Sequence, residues 1–266
     1  MKFKKLFSAA LVAGSMLAAG AASAFPIFTV NSTPYGGRTF EADRISGGYQ
    51  ESFTATSATT FDVSILITLG QYFKTGTPGA IGGTGLGNTY GLYALFNGSG
   101  TIAPDPVSGS DFTLNPGGPL KLFLDPNGNF GNPLLTTFTD PTTGSSPYGV
   151  VNGGEDILLA TGASVTGDGR LTCSGSSNNC GSFGQTTSFN LTLPAGKNFF
   201  PLPDPFYKFA ITTGQFNGFP LTVGATQRLN GSADTTFKVP EPMGIALFGM
   251  ALLGLAVTRR RSNDQV

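Results

Sequence analysis

The sequence predicts an all-β fold: a single β-sandwich-like domain of short antiparallel strands, flanked by an N-terminal signal-peptide helix and a C-terminal transmembrane helix. Three observations predict it. Apolar and polar residues alternate through many short runs, the signature of half-buried strands. Turn-forming residues interrupt those runs throughout, with 39 Gly and 18 Pro among 266 residues. Between the two apolar ends no stretch sustains an apolar period of about 3.6 residues, so no long helix is expected in the body.

In chain order, Lys2, Lys4 and Lys5 form a basic start, residues 6–22 an apolar run, and Ala22-Ser23-Ala24 an A-x-A cleavage site. Residues 1–24 therefore read as a signal peptide, and 25–238 as the exported domain. Residues 25–30 predict a first strand, placed at an edge because Pro26 lacks a backbone donor. Residues 31–37 are turn-rich. In 49–55, Tyr49, Glu51, Phe53 and Ala55 share a face. Residues 59–69 give the cleanest strand, with Phe61, Val63, Ile65, Ile67 and Leu69 on one side. Residues 70–88 hold seven glycines and read as a loop. A strand at 91–96 is expected to end in a hairpin at Asn97-Gly98, a strong turn dipeptide.

Short strands follow at 112–114 and at 120–124, the latter stopped by Asp125-Pro126-Asn127-Gly128. The turn-rich segment 131–154 has room for one at 134–138. Residues 157–165 predict a strand leading into a cysteine-containing loop. In 182–193, Thr187, Phe189, Leu191 and Leu193 share a face; in 206–212, Tyr207, Phe209 and Ile211 do. A turn at 215–218, a short strand at 221–223 and a last strand at 234–239 complete the body. No fixed-period repeat and no charged or proline-rich linker divides it, so one domain is expected.

Lys and Arg total 15, as do Asp and Glu. With the six basic residues of the two ends and Asp264 set aside, nine basic face fourteen acidic residues, a body charge of about −5. That excludes nucleic acid as an expected partner. Solubility must rest largely on neutral Gly, Thr, Ser and Asn. The absence of histidine excludes His-dependent triads and the usual zinc and copper sites. Cys173 and Cys180 are separated by six small polar residues. In an oxidising compartment they predict a disulfide worth about 2–3 kcal/mol by loop closure. A free thiol pair or a metal site is the weaker alternative, because two ligands do not fill a coordination sphere.

Glu155-Asp156 is the only adjacent acidic pair in the body. A glycosidase needs two carboxylates about 5–9.5 Å apart across a cleft; Asp125, Asp140, Glu155 and Asp156 are the available candidates, and a solvated turn is the plainer reading. The run from Asp125 to Asn129 has oxygen ligands at alternate positions, as in a calcium loop. Phe130 and Thr136, however, stand where such a loop needs glycine and an acid. Gly82-Gly83-Thr84-Gly85-Leu86-Gly87 lacks the lysine and hydroxyl residue of a phosphate loop. No catalytic residue, metal site or cofactor is expected, and the chain reads as a non-enzyme. The 23 Phe and seven Tyr, without Trp, are assigned mainly to core, with an exposed aromatic strip for sugars as the lesser alternative.

At the other end, Val239-Pro240-Glu241-Pro242 precedes residues 243–258, which carry no charge, and then Arg259, Arg260 and Arg261. Sixteen helical residues span about 24 Å, short for a bilayer core of about 30 Å. The arginines would hold the C-terminal side at the cytoplasmic face, leaving 262–266 as a cytoplasmic tail. The two prolines keep the preceding segment extended. Motif, short apolar helix and arginine cluster in this order resemble the sorting signal of PEP-CTERM proteins, here residues 239–261. The resemblance implies export, transient anchoring in the inner membrane and processing by an exosortase.

Several body segments also resemble the flocculation-associated PEP-CTERM family. They are Ala24-Phe25-Pro26-Ile27-Phe28-Thr29-Val30, the stretch from Phe53 to Phe61, Tyr90-Gly91-Leu92-Tyr93-Ala94, Leu122-Phe123-Leu124-Asp125-Pro126-Asn127, Gly214-Gln215-Phe216-Asn217, and Asn230-Gly231-Ser232-Ala233-Asp234. This implies a surface or extracellular-matrix protein that associates with exopolysaccharide and promotes flocculation. The competing expectations are a carbohydrate-binding module without an aggregation role and, further off, a matrix polysaccharide hydrolase.

Overall fold

The computed structural model describes residues 26–105, 109–129, 131–162, 165–172, 181–213 and 221–238. The fold is all-β, but its main sheet closes on itself instead of splitting into two layers. Eight strands form the ring: β3 (Arg44–Ala55), β4 (Thr60–Phe73), β5 (Gly91–Asp105), β6 (Gly109–Leu114), β11 (Thr166–Leu171), β12 (Gly181–Thr187), β14 (Lys208–Thr213) and β15 (Thr226–Lys238). Their spatial order is β5-β4-β3-β15-β14-β12-β11-β6, and β6 returns to β5, antiparallel at every step. Closure leaves the ring without a free edge.

β5 is the strand where the sheet forks. Its first half, from Gly91 to Phe96, pairs with β7 (Leu120–Asp125), and its second half, from Gly100 to Asp105, pairs with β6. β4 runs unbroken along the opposite edge. Asn97-Gly98 is therefore not the expected hairpin turn. It lies within β5 at the point where one neighbour leaves and the other arrives, and the Asn97 amide donates to the Gly144 carbonyl at 2.9 Å. From β7 a side sheet continues through β10 (Ile157–Gly162) to β13 (Asn190–Leu191).

Outside the ring, β1 (Phe28–Asn31) and β2 (Thr39–Ala42) make a two-stranded ribbon, so β1, expected at a sheet edge, has β2 as its one ladder partner among the described strands. β8 (Thr137–Thr139) and β9 (Gly149–Val151) make another. The second ribbon lies over a small outer cluster of Leu66, Tyr93 and Tyr148. Arg228 ties its loop down, donating to the Ser52 hydroxyl and the Pro141 carbonyl.

Other differences have local causes. The expected strand at 182–193 breaks after Thr187, so β12 belongs to the ring and β13 to the side sheet. Leu193 is consequently 78% exposed, not core. β11 intervenes between β10 and the cysteines. Residues 221–223 form no strand, while β15 starts at Thr226 and is longer than expected. The one described α-helix, α1 (Ala195–Phe199), is a single short turn. Among the described residues no helix is long and apolar enough to cross a membrane; residues 6–22 and 243–258 lie outside them.

One core fills the ring and runs under β1. On β4 the alternation holds as read, with Phe61, Val63, Ile65, Ile67 and Leu69 all buried in it. Large rings fit because glycines stand beside them. A Cβ on Gly169 would lie 2.7 Å from the Phe183 ring, and one on Gly100 2.4 Å from Phe61.

Candidate functional site

The residues assigned to sorting (Val239, Pro240, Glu241, Pro242, Arg259, Arg260, Arg261), to signal cleavage (Ala22, Ala24) and to a disulfide (Cys173, Cys180) all lie outside the described residues. The strands bracketing the cysteines are described: Leu171 ends β11 directly opposite Gly181, the first residue of β12.

Of the acidic candidates, the pairing of Leu124 with Ile157 brings Asp125, Glu155 and Asp156 to one end of the β7–β10 ladder. Asp125 is buried and accepts from the backbone N–H of Asn127 at 2.7 Å and of Thr136 at 3.0 Å. Asp156 accepts from the Thr136 hydroxyl at 2.9 Å and from the Tyr93 hydroxyl. Glu155 accepts from the Asn127 amide at 2.7 Å. Burial raises the Asp156 carboxyl above its usual range, against the pull of the Tyr93 and Thr136 hydroxyls; the Asp125 and Glu155 charges add to the rise. Burial and the Asp156 bond raise the Tyr93 phenol as well.

Carboxylates held by so many internal donors act as a knot that fixes the 126–136 and 152–156 loops. Asp125 to Gly128 close a turn, the Gly128 N–H donating to the Asp125 carbonyl at 3.3 Å. Among the described residues no group of His, Cys, Asp or Glu is arranged to hold a metal ion. Asp140 sits apart, 3.9 Å from Arg228.

Two concave features remain. The first is a groove of about 520 Å³ on the outer face of β6, β11, β12, β14 and β15. Side chains alternate across a strand, so Phe183 faces the interior while Gly184 and Thr186 face out. The groove floor is small, with Gly184 and Ala210, and its walls carry Thr113, Thr166, Thr212 and Thr236. Among its described lining residues Asp168 alone carries a formal charge. A Cβ on Gly184 would meet nothing closer than the Ile211 carbonyl at 3.9 Å, so the floor is open. The surface is hydroxyl-rich, nearly uncharged and set on paired strands.

The second is a cavity of about 20 Å³ inside the ring, room for about one water. Phe53, Phe61, Phe112, Phe183 and Leu229 line it, together with Glu51. Desolvation raises the Glu51 carboxyl from 4.5 to about 7. Nearby in the ring wall, the buried Gln185 amide has neither its oxygen nor its nitrogen bonded. Sequence reasoning placed Glu51 on the same face as Phe53 but did not single it out; one acid within an otherwise apolar alternating face was the available signal.

No family model, no curated protein and no solved structure matches this chain.

Proposed function

We propose that the chain is an exported, non-enzymatic matrix protein whose barrel associates with exopolysaccharide and promotes cell aggregation. Residues 1–24 direct export. Residues 243–258 hold the protein in the inner membrane for a time, and an exosortase acts at Val239-Pro240-Glu241-Pro242. The product then resides at the cell surface or in the extracellular matrix.

The observation that carries the binding half of this reading is the outer groove. Its hydroxyl walls and small floor suit a neutral or weakly charged glycan, which is recognised through hydrogen bonds over an apolar floor. A rigid wall of paired strands positions those hydroxyls without an ordering penalty on binding.

Gly184→Val tests it. Valine suits a strand and has room at this position, but fills the groove floor. Retention on purified exopolysaccharide should drop about tenfold or more, the effect of losing about 1.4 kcal/mol, with the thermal midpoint unchanged. Undiminished retention would remove the groove from the account. A carbohydrate-binding module without an aggregation role would show the same loss of retention, yet leave flocculation intact.

A further inference from the structure

Both ends of the described chain leave the barrel at the same place. Phe28, near the start, packs on Phe237, near the finish, with ring centroids 4.6 Å apart. The Tyr207 hydroxyl donates to the Ile27 carbonyl at 3.1 Å, and Thr29 bridges to Leu202. Lys238, the last residue of β15, pairs with Lys208 at the start of β14. Three of the exposed large apolar side chains lie at this pole, the others being Val223 and, in or beside the β8–β9 ribbon, Leu134, Val150 and Val151. Leu193 is 78% exposed, Leu202 58% and Ile27 47%.

Leu193 lines a groove of about 330 Å³ together with Phe206, Pro203 and the paired Lys197 and Asp204. Val223 is as exposed as Leu202, at 56%, but lies at the opposite pole, where Gly224 N–H donates to the Ala55 carbonyl at the end of β3. Four residues separate Lys238 from the uncharged run that begins at Met243. Fully extended they reach about 14 Å. On the other side only Phe25 and Pro26 separate Ile27 from the cleavage site.

We propose that this pole is a membrane-contacting surface: before processing, Ile27, Leu193 and Leu202 rest in the lipid headgroup–acyl boundary, with Lys197 and Lys208 at the level of the headgroups. The inference rests on the proposed reading of residues 243–258 as a membrane segment. A tether of about 14 Å at most keeps Lys238 and the pole around it close to the interface. Aliphatic tips beside lysines are the side-chain mixture that such a boundary accepts.

The test uses the full chain in phosphatidylethanolamine–phosphatidylglycerol vesicles containing a lipid with a diazirine high on one acyl chain. Adducts are located by peptide mass after illumination. Peptides holding Ile27, Leu193 and Leu202 should be labelled about five-fold or more above the peptide holding Val223. In the double variant Leu193→Asp with Leu202→Asp, labelling at Ile27 should fall by about three-fold while adducts in 243–258 stay constant. Labelling of 243–258 with the pole no higher than Val223 would overturn the membrane-contacting pole and leave the membrane segment standing. No adduct in 243–258 would overturn both.

Discussion

The two poles of the barrel are built from the same side chain and behave differently. At the pole where the chain ends leave, Phe28, Phe200, Phe206, Phe209 and Phe237 pack edge-to-face or tilted, with centroids 4.6–6.4 Å apart. The carboxylate described nearest them, Asp204, is 61% exposed and paired with Lys197, and α1 places buried Phe199 against Phe200. At the other pole Phe53, Phe61, Phe112 and Phe183 surround a small cavity that also receives Glu51. One pole holds its rings by mutual packing; the other places an acid where ionisation works against burial. Aromatic content alone does not make a rigid core. What the rings share their space with decides it.

The largest expected effect tests the packed pole. Phe237→Ala removes a ring that touches Phe28, Phe189, Phe200, Phe206 and Phe209. It should destabilise by about 3–5 kcal/mol in denaturant unfolding. A loss below about 1 kcal/mol would show that this pole can collapse around the gap, and the contrast would fail.

The next effect belongs to Glu51. Its folded-state carboxyl is raised to about 7 from 4.5, so folding favours the protonated form. The stability this contributes is complete below about pH 4.5 and is lost as pH rises through about 7. Because Glu51 keeps some exposure, the loss should be roughly 1–3 kcal/mol. Glu51→Gln should flatten the unfolding free energy across that window. A wild-type protein equally stable at pH 5 and pH 8 would mean that the cavity does not hold a desolvated acid.

The smallest effect sharpens the contrast from outside. Leu193 is at the packed pole but 78% exposed, so Leu193→Ser should shift stability by no more than about 0.5 kcal/mol. A larger change in the soluble protein would place that side chain in the core after all.

How far the sequence spoke depended on distance along the chain. β4 was legible because its alternation is unbroken from Phe61 to Leu69. The same local rule misread Asn97-Gly98: as a dipeptide it favours a turn, but β4 holds it straight on one side while β7 and β6 take turns on the other. Closure of the ring was not legible, since it depends on β6 pairing with both β5 and β11. Asp125, Glu155 and Asp156 could be named as acids but not brought together, because a single ladder between β7 and β10 does that. The groove was invisible for a related reason: its threonines come from separate strands and carry no common spacing.

The most direct test of the account is the intact mass of protein recovered outside the cells, for the wild type and for the combined variant Pro240→Ala, Glu241→Ala, Pro242→Ala. The account predicts a wild-type product that begins at Phe25 and lacks residues 243–266, and a variant that stays full-length at its C-terminus in the membrane fraction. Wild-type protein found in the cytosol with both ends intact, or a variant released like the wild type, would contradict it.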